Sequence, residues 1–555
     1  MSTLQVGAAE FPPLASLFLT HFDDIKGQSV IFYASIPNLP ASTIEHTTLP
    51  SGLHALDSDL VLFTHHDLPG AGEFRSRLSD EGARGRRMGT LGVVLAGPST
   101  VADLFTLRQP LSNLFDQLES LESSPFAPSS SSAPSSAVSL LAKVWHECRA
   151  DAPGAEDRVG RVTGKEEIRG VRTLVDGREG GKGTGSANGR GTIQAEHPIA
   201  YMPSLLGILG PSIVPIYRAA LSGQRIILYS TPPLLPLAAF AWCIWAMSLA
   251  PPSTPDAEPN KWLGNVGLMD LSDLKKRKGG WVATTSDAIY RSHHDAYDVF
   301  VDLSSISLSS PITSSSITAT PTTPIIHSTY HQPKNQSTII TYAFSDLPLY
   351  RSLLLLTSSP PTVHAGVSRT GGWWLLAFEI LERAWKLCVG VCEFAVGRGR
   401  VEETDEGHLR LDEGEEDARL LDDVDVDVED GEPDLIDSQP RANNDDDDGE
   451  AEEDKEDEAI RRGRLILRQL HHNTYHLHHQ LRAILASRSD ISQTASLKEA
   501  EIKQLIGGSV GRWSWAFAGG GSSGGGGSGA EVAFWKDVSR VWGLTSEFES
   551  EAGDA

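Results

Sequence analysis

The sequence predicts a multi-module chain of α+β and α/β class, with a C-terminal helical module interrupted by polar insertions. Three observations carry this. The stretch "RAALSGQRIILYS" (residues 218–230) sets a helix end, a glycine and an almost purely apolar strand in direct succession, which is half of an α/β unit. Strand-like runs dominate residues 14–95, whereas from 371 onward they vanish and helical periodicity takes over. Composition then cuts the chain at a Ser/Pro-rich stretch (123–136), an acidic tract (402–458) and a Gly/Ser run (519–529).

The first module spans residues 14–122. "LFLTHFD" and "SVIFYAS" read as two strands joined by the turn-rich "DIKGQ", a hairpin pattern. "DLVLFTH" and "TLGVVLA" read as further strands. Val101, Leu104, Phe105, Leu111, Leu114, Phe115, Leu118 and Leu121 form a helical stripe, with Pro110 as a kink or break. Residues 123–196 are a linker that holds one short helix, "AVSLLAKVWHECRA", and a Gly- and charge-rich loop.

The central α/β module spans 197–360. Ile213, Ile216, Tyr217, Ala220 and Leu221 recur at helical spacing, and Ser222-Gly223 stops the helix because glycine enters a left-handed C-cap without steric cost. Ile226 to Tyr229 then suit a strand buried on both faces, as in a parallel sheet. "LLPLAAFAWCIWAMSLA" (234–250) is at the short limit for a membrane span, contains Pro236 and directly follows that strand, so a core helix explains it better. "WVATTSDAIYRSHHDAYDVFVDL" reads as strand, short helix, strand. A Ser/Thr/Pro-rich insertion at 304–338 is expected to be disordered and open to phosphorylation, and "LPLYRSLLLL" resumes the fold.

The helical module spans 371–548. "WWLLAFEILERAWKLCVGVCEF" is a strong helix, and the acidic insertion 402–458 is expected to be disordered. A helix at 460–486 carries Ile466, Leu470, Leu477, Leu481 and Ile484 on one face. Another lies near 494–506. The Gly/Ser run 519–529 is a flexible linker, and "AEVAFWKDVSRVWGL" is a short amphipathic helix.

The net charge of -26 is local: residues 401–458 hold 29 Asp+Glu against 4 Lys+Arg, a net of -25, which leaves about -1 for the rest. The folded part is therefore nearly neutral, and no basic stripe exists to bind nucleic acid. Cys148, Cys243, Cys388 and Cys392 are few and follow no C-x-x-C spacing, the pattern of reduced cysteine in an intracellular protein. The N-terminus lacks the basic region and apolar core of a secretory signal.

The chemistry-bearing patterns argue against a nucleotide or a catalytic centre of the chain's own. Gly223 lies between a helix and the following strand, whereas a phosphate cradle needs its glycines between a strand and the following helix. In "GREGGKGTGSANGRG" (177–191), Gly181-Lys182 is followed by Gly183 rather than Ser or Thr, and the G-x-G-x-x-G spacing fails by one residue. His471, His472, His476, His478 and His479 crowd one helix, with His472, His476 and His479 near one face, yet no carboxylate or cysteine ligand lies close by. A solvated face is the preferred reading over a metal site. His293-His294 reads as an exposed corner. No catalytic, cofactor-binding or metal-ligating residue is assigned, and neither a cofactor nor a small-molecule substrate is expected.

In this order the segments resemble the DENN-domain family, in particular its LCHN-like branch with fungal relatives. "LTHFDDIKGQSVIFYASIP" is similar to the opening hairpin of the upstream DENN module. "LPSGLHALDSDLVLF", with Ser51, Gly52, His54 and Asp59, resembles the segment after it, and "RGRRMGTLGVVL" the next strand. "HPIAYMPSLLGILGPSIVPIYRAALSGQRIILYS" resembles the start of the central DENN module, and "NVGLMDLSDL" with "GWVATTSDAIYRSHHDAYDVFVDL" its later strands. The resemblance covers most of residues 14–360. It implies a longin-like domain, an α/β DENN core and a downstream helical module. It also implies a regulator of membrane traffic, cytoplasmic or peripheral on intracellular membranes, whose partner is a Rab-type small GTPase and whose activity is guanine-nucleotide exchange. Alternatives are a DENN-fold scaffold without exchange activity, or a folliculin-like protein that stimulates GTP hydrolysis with an arginine finger, for which Arg225 and Arg291 are candidates.

Overall fold

The runs that alternate or concentrate apolar residues near the N-terminus become an antiparallel half-sheet. β1 (Leu14–Asp23) and β2 (Gly27–Ser35) form the expected hairpin, closed where the Asp23 carboxylate accepts the amides of Ile25 and Lys26 at 2.8 Å. β3 (Ser58–His65) and β5 (Arg86–Leu95) match the other two expected strands. Between them lies β4 (Leu68–Leu78), which the sequence did not announce, paired antiparallel to both. Its Pro69, Gly70 and Gly72 disguise it. Gly70 is required there, because a Cβ would meet the Phe63 ring at 2.6 Å. These are features of the computed structural model, which describes residues 11–78, 85–96, 101–121, 135–151, 171, 197–249, 260–306, 308, 324–330, 336–342, 346–357, 448–486, 534–535 and 537–542.

Helix α1 (Ile44–Thr48) covers one face of this half-sheet, over a small cluster built on Phe18, Ile44 and Phe63. The other face takes α2 (Val101–Phe105), α3 (Arg108–Leu121) and α4 (Ser136–Cys148). The apolar stripe of 101–121 is thus two helices. The break falls at Thr106 and Leu107, and Pro110 sits in the first turn of α3, where its missing N–H costs little. Ser135 caps α4 by accepting the Val138 amide at 3.2 Å.

The central half starts with α5 (Met202–Leu209) and α6 (Ile213–Leu221). Gly223, at φ 69°, then turns the chain into β6 (Arg225–Tyr229). Next come α7 (Leu234–Met247), β7 (Lys261–Asn265), α8 (Leu271–Lys276), β8 (Trp281–Thr285) and β9 (Val299–Asp302). β6 pairs parallel with β8 and β9, and β7 parallel with β8, so the α/β expectation holds for this half. Twelve of the fourteen residues of α7 are buried, as befits a helix that is apolar all round and packed in a core. The helical stretch Pro198–Leu221 is long and apolar enough, by length and composition, to cross a membrane, and half of its apolar window is buried within the protein.

With two further short strands, β10 (Ile325–Ser328) and β11 (Thr338–Ile339), the two halves join into one sheet, in the order β11-β10-β9-β6-β8-β7-β3-β4-β5-β1-β2. The seam is a single pairing, Phe63 opposite Gly264. Gly264 is irreplaceable on two counts: its φ is 68°, and a Cβ would lie 2.5 Å from the Leu62 carbonyl oxygen. Helix α7 lies across the seam, against β3 on one side and β6, β7 and β8 on the other.

Two expectations about insertions need correction. Residues 325–328, inside the stretch 304–338 expected to be disordered, form β10 (Ile325–Ser328), antiparallel to β9, and β11 (Thr338–Ile339) extends it. The Ser/Thr/Pro background hides the short run "IIHS", whose Ile326 and Ser328 are buried against the open edge of β9. The acidic tract 402–458 likewise ends early, because α10 (Asp448–Ala486) begins ten residues before its boundary. Ala, Glu, Lys and Arg are strong helix formers, and acidic residues favour a helix N-terminus. α9 (Leu347–Thr357) and α10 pack together, and Tyr217 of α6 donates its hydroxyl to the Leu470 carbonyl of α10 at 2.9 Å. Arg218 and Asp346 form a buried ion pair between α6 and the start of α9. Helical residues 534–535 and 537–541 bear out the expected C-terminal amphipathic helix. The chain groups as two units, Met1–Ser358 with Asp447–Ala555, and Ser359–Asp446. All of the second unit lies outside the described residues, together with the helices expected in 373–394 and near 494–506, Cys388, Cys392 and the glycine loop 177–191.

Candidate functional site

In a parallel sheet, ligands meet the protein outside the carboxyl ends of the strands, where the following turns project. The first such turn here follows β6 and leads into α7. The N-terminus of that helix is where an α/β protein would seat a phosphate. It already holds an anion. The carboxylate of Asp59, from β3, accepts the Leu234 amide at 2.6 Å and the Leu235 amide at 3.4 Å, and its own neighbour Leu60 donates at 2.9 Å. Burial pushes the Asp59 carboxyl up to about 6, and the three backbone donors oppose that rise. Two halves of the sheet are thereby tied together through a helix N-terminus that an external phosphate would otherwise occupy.

The remaining carboxyl-edge turns form a stitched rim. The Val266 amide donates to the Thr284 carbonyl at 2.8 Å, and the Thr285 hydroxyl to the Val266 carbonyl at 2.8 Å. Leu268 donates its amide to Asp287 at 3.0 Å, and the Tyr290 hydroxyl donates to the Gly267 carbonyl at 2.7 Å. Arg291 donates to Asp302 at 2.6 Å and to Ser304 at 2.9 Å, which adds the turn after β9. Asn265 donates to the Thr47 carbonyl at 3.1 Å, so the rim continues into α1 of the N-terminal half.

This rigid rim holds large apolar side chains in solvent. Leu268 is 53% exposed, Met269 52% and Ile289 38%, all on the two turns that Asp287 and Tyr290 bind together. Asp270 and Asp287 flank them. Burial raises the Asp270 carboxyl above its ordinary range, opposed by the Gly267 amide that it accepts at 2.9 Å. Exposed apolar residues on a preorganised edge, with charged groups around them, are what a protein-docking surface needs. No cluster of His, Cys, Asp and Glu that could hold a metal exists among the described residues.

The other singled-out residues have structural work. Arg225 makes a two-pronged pair with Asp298, at 2.8 and 3.1 Å. Arg291, besides its bonds to Asp302 and Ser304, lies 4.7 Å over the Tyr229 ring. His294 bonds the Tyr297 hydroxyl at 2.9 Å, and both His293 and His294 are half-buried rather than exposed. The histidines of α10 split between two roles. His471 donates to the Ala246 carbonyl at 2.8 Å and His478 packs edge-on against Trp542, whereas His472, His476 and His479 face solvent. Cys148 and Cys243 are buried and form no disulfide, and burial lifts the Cys243 thiol far above its usual range. Leu268, Met269 and Ile289 carry no motif. Their signal in the sequence is only that apolar residues recur in turns, beyond the strands that need them.

A mixed sheet whose carboxyl edge presents apolar turns, with its first helix N-terminus filled by an internal carboxylate, defines an α/β protein whose usual phosphate seat is taken by its own side chain. The family model of DENN domain-containing protein 11 matches residues 17–312, more than half of the sequence, and the chain belongs to that family. It is 28% identical over 112 residues to DENN domain-containing protein 11 of Xenopus laevis, covering 20% of this chain and 26% of that protein. It is 27% identical over 175 residues to the uncharacterized protein ANR2 of Saccharomyces cerevisiae, covering 29% of this chain and 30% of that one. The matches thus span less than a third of either relative.

Proposed function

We propose that this protein is a regulator of membrane traffic that binds a Rab-type small GTPase and promotes release of its GDP. The observation that carries the reading is the rim: Leu268, Met269 and Ile289 stand exposed on turns fixed by hydrogen bonds, at the seam-side edge of a DENN-family sheet. Membership of the family supports a small GTPase as the partner in this reading. The strand order β3-β4-β5-β1-β2, with helices on both faces, supports reading the N-terminal half as longin-like. An exchange factor of this kind needs no cofactor, because it works by binding the nucleotide-free GTPase better than the loaded one. The site of action in this reading is the cytoplasmic face of intracellular membranes.

Exchange is favoured over stimulated GTP hydrolysis by the state of the two arginines. Arg225 or Arg291 would have to abandon Asp298 or Asp302 to reach a partner's nucleotide. The experiment is a panel of Rab GTPases, each tested for capture after a chelator has stripped its nucleotide and for release of labelled GDP. Capture with accelerated release is expected for at least one member. Capture without release would make the protein a scaffold, and accelerated hydrolysis would make it a GTPase-activating protein. No capture by any member would end the GTPase reading.

A further inference from the structure

We propose that the amino edge of the parallel strands carries a peptide-docking slot, and that the chain's own residues 534–542 occupy it as a reversibly bound amphipathic helix. Phe534, Trp535, Val538 and Trp542 are each at most 1% exposed. Their spacing puts them on one helical face. The walls come from elements remote in sequence. His478 of α10 meets the Trp542 ring at 5.4 Å between centroids. Val541 lies over the turn at Gly223, where a Cβ would approach its methyl to 2.6 Å. Tyr330, just beyond β10, hydrogen-bonds the Asp537 carboxylate. Gly223 precedes β6, and Tyr330 follows the end of β10 that pairs with the start of β9. The slot therefore lies at the edge opposite the apolar rim.

Two features mark the segment as a docked ligand rather than a structural helix. Forty-seven residues, 487–533, separate it from the end of α10, and they include the Gly/Ser run 519–529. So short a helix does not hold itself together in water, so the slot imposes its order. Asp537 also pairs with the exposed Arg540 at 3.0 Å, at the border between slot and solvent. The kind of occupant the slot fits is an amphipathic helix with aromatic anchors at its first, second and ninth positions, an aliphatic at its fifth, and an acid at its fourth position to meet Tyr330.

The test uses the full-length chain with a specific protease site inserted between Gly524 and Gly525. After cleavage, a fluorescent peptide of residues 530–545 is added and its exchange into the slot is followed by anisotropy, with the melting curve of the cleaved protein recorded alongside. Saturable exchange is expected, with the cooperative melt retained. The same peptide carrying Trp535→Ala and Trp542→Ala should bind at least about 100-fold more weakly, since two buried aromatic anchors are lost. Tyr330→Phe in the protein should weaken the natural peptide about tenfold. The proposal is overturned if the cleaved fragment stays bound without exchange, if its release abolishes the cooperative melt, or if the double-alanine peptide binds equally well. None of these readouts involves a GTPase, so the result stands apart from the proposed function.

Discussion

Glu73 and Asp59 are buried carboxyls held above the ordinary carboxylate range. Glu73 sits 3.8 Å from Arg75 and yet burial pushes its carboxyl up to about 7. The reason is where the guanidinium spends its donors. They go to Asp116 at 2.5 Å, Glu119 at 3.0 Å and the backbone and side chain of Ser112, all on α3, which leaves Oε2 of Glu73 buried without a partner. Asp59, held at about 6, adds to the rise. Both carboxyls are raised above their unfolded values. Their contribution to stability is therefore full below the ordinary carboxylate range and is lost as pH rises through 6 and 7. His197 and His478, both lowered to about 4 by burial, act the other way below about pH 6.5. The difference in melting temperature between the native chain and Glu73→Gln isolates this carboxyl: it should move in favour of Glu73→Gln as pH rises from about 5 to 8, and a difference independent of pH would refute the assignment. At the seam, Gly264→Ala should cost about 2–3 kcal/mol or more in urea denaturation, because it sets a side chain at positive φ against backbone atoms of β3. A loss below about 0.5 kcal/mol, the range of neutral surface changes, would mean that the seam yields.

At the scale of elements, what is legible in the sequence is what depends on local pattern. The β1–β2 hairpin, the buried strand β6, the core helix α7 and the short helix α4 follow from periodicity, turn chemistry and capping. β4 escapes because its glycines answer to Phe63 and Thr90 on neighbouring strands, not to its own propensity. β10 escapes because four residues suffice when an open edge awaits them. The rim is the least legible. Leu268, Met269 and Ile289 become a surface only when parallel pairing brings the turns after β7 and β8 side by side, and nothing local links Asp59 to Leu234 across 175 positions. The boundary of α10 yields a test. Deleting 402–446 should leave the melting temperature nearly unchanged, since the charge density of that stretch opposes burial and loop length costs stability only slowly. Extending the deletion to 458 removes the start of α10 and the pairs of Glu458 with Arg461 and Arg462, at 2.7 and 2.6 Å, and should lower it measurably. Equal melting temperatures for the two deletions would show that α10 gains nothing from its first turns.

For the whole molecule, the continuous sheet matters because it makes the two halves one rigid platform. The seam at Gly264, the Asp59 clasp on α7 and the bond from Asn265 to α1 all hold the rim in register with the N-terminal half. A partner that docks there meets a prearranged surface and not one it must order, which lowers the cost of binding. The nearly neutral charge outside 401–458 implies association only modestly sensitive to salt, since no large steering field is available. The most direct measurement is the affinity of the full-length chain for a captured Rab-type GTPase, nucleotide-free and GDP-loaded, compared with that of Met269→Asp. Tighter binding of the nucleotide-free form is expected, with Met269→Asp about 10- to 100-fold weaker and its melting temperature unchanged, as for a charge placed in an apolar contact. Native affinity and native GDP release in Met269→Asp would contradict the account, because the GTPase would then be docking somewhere other than the rim.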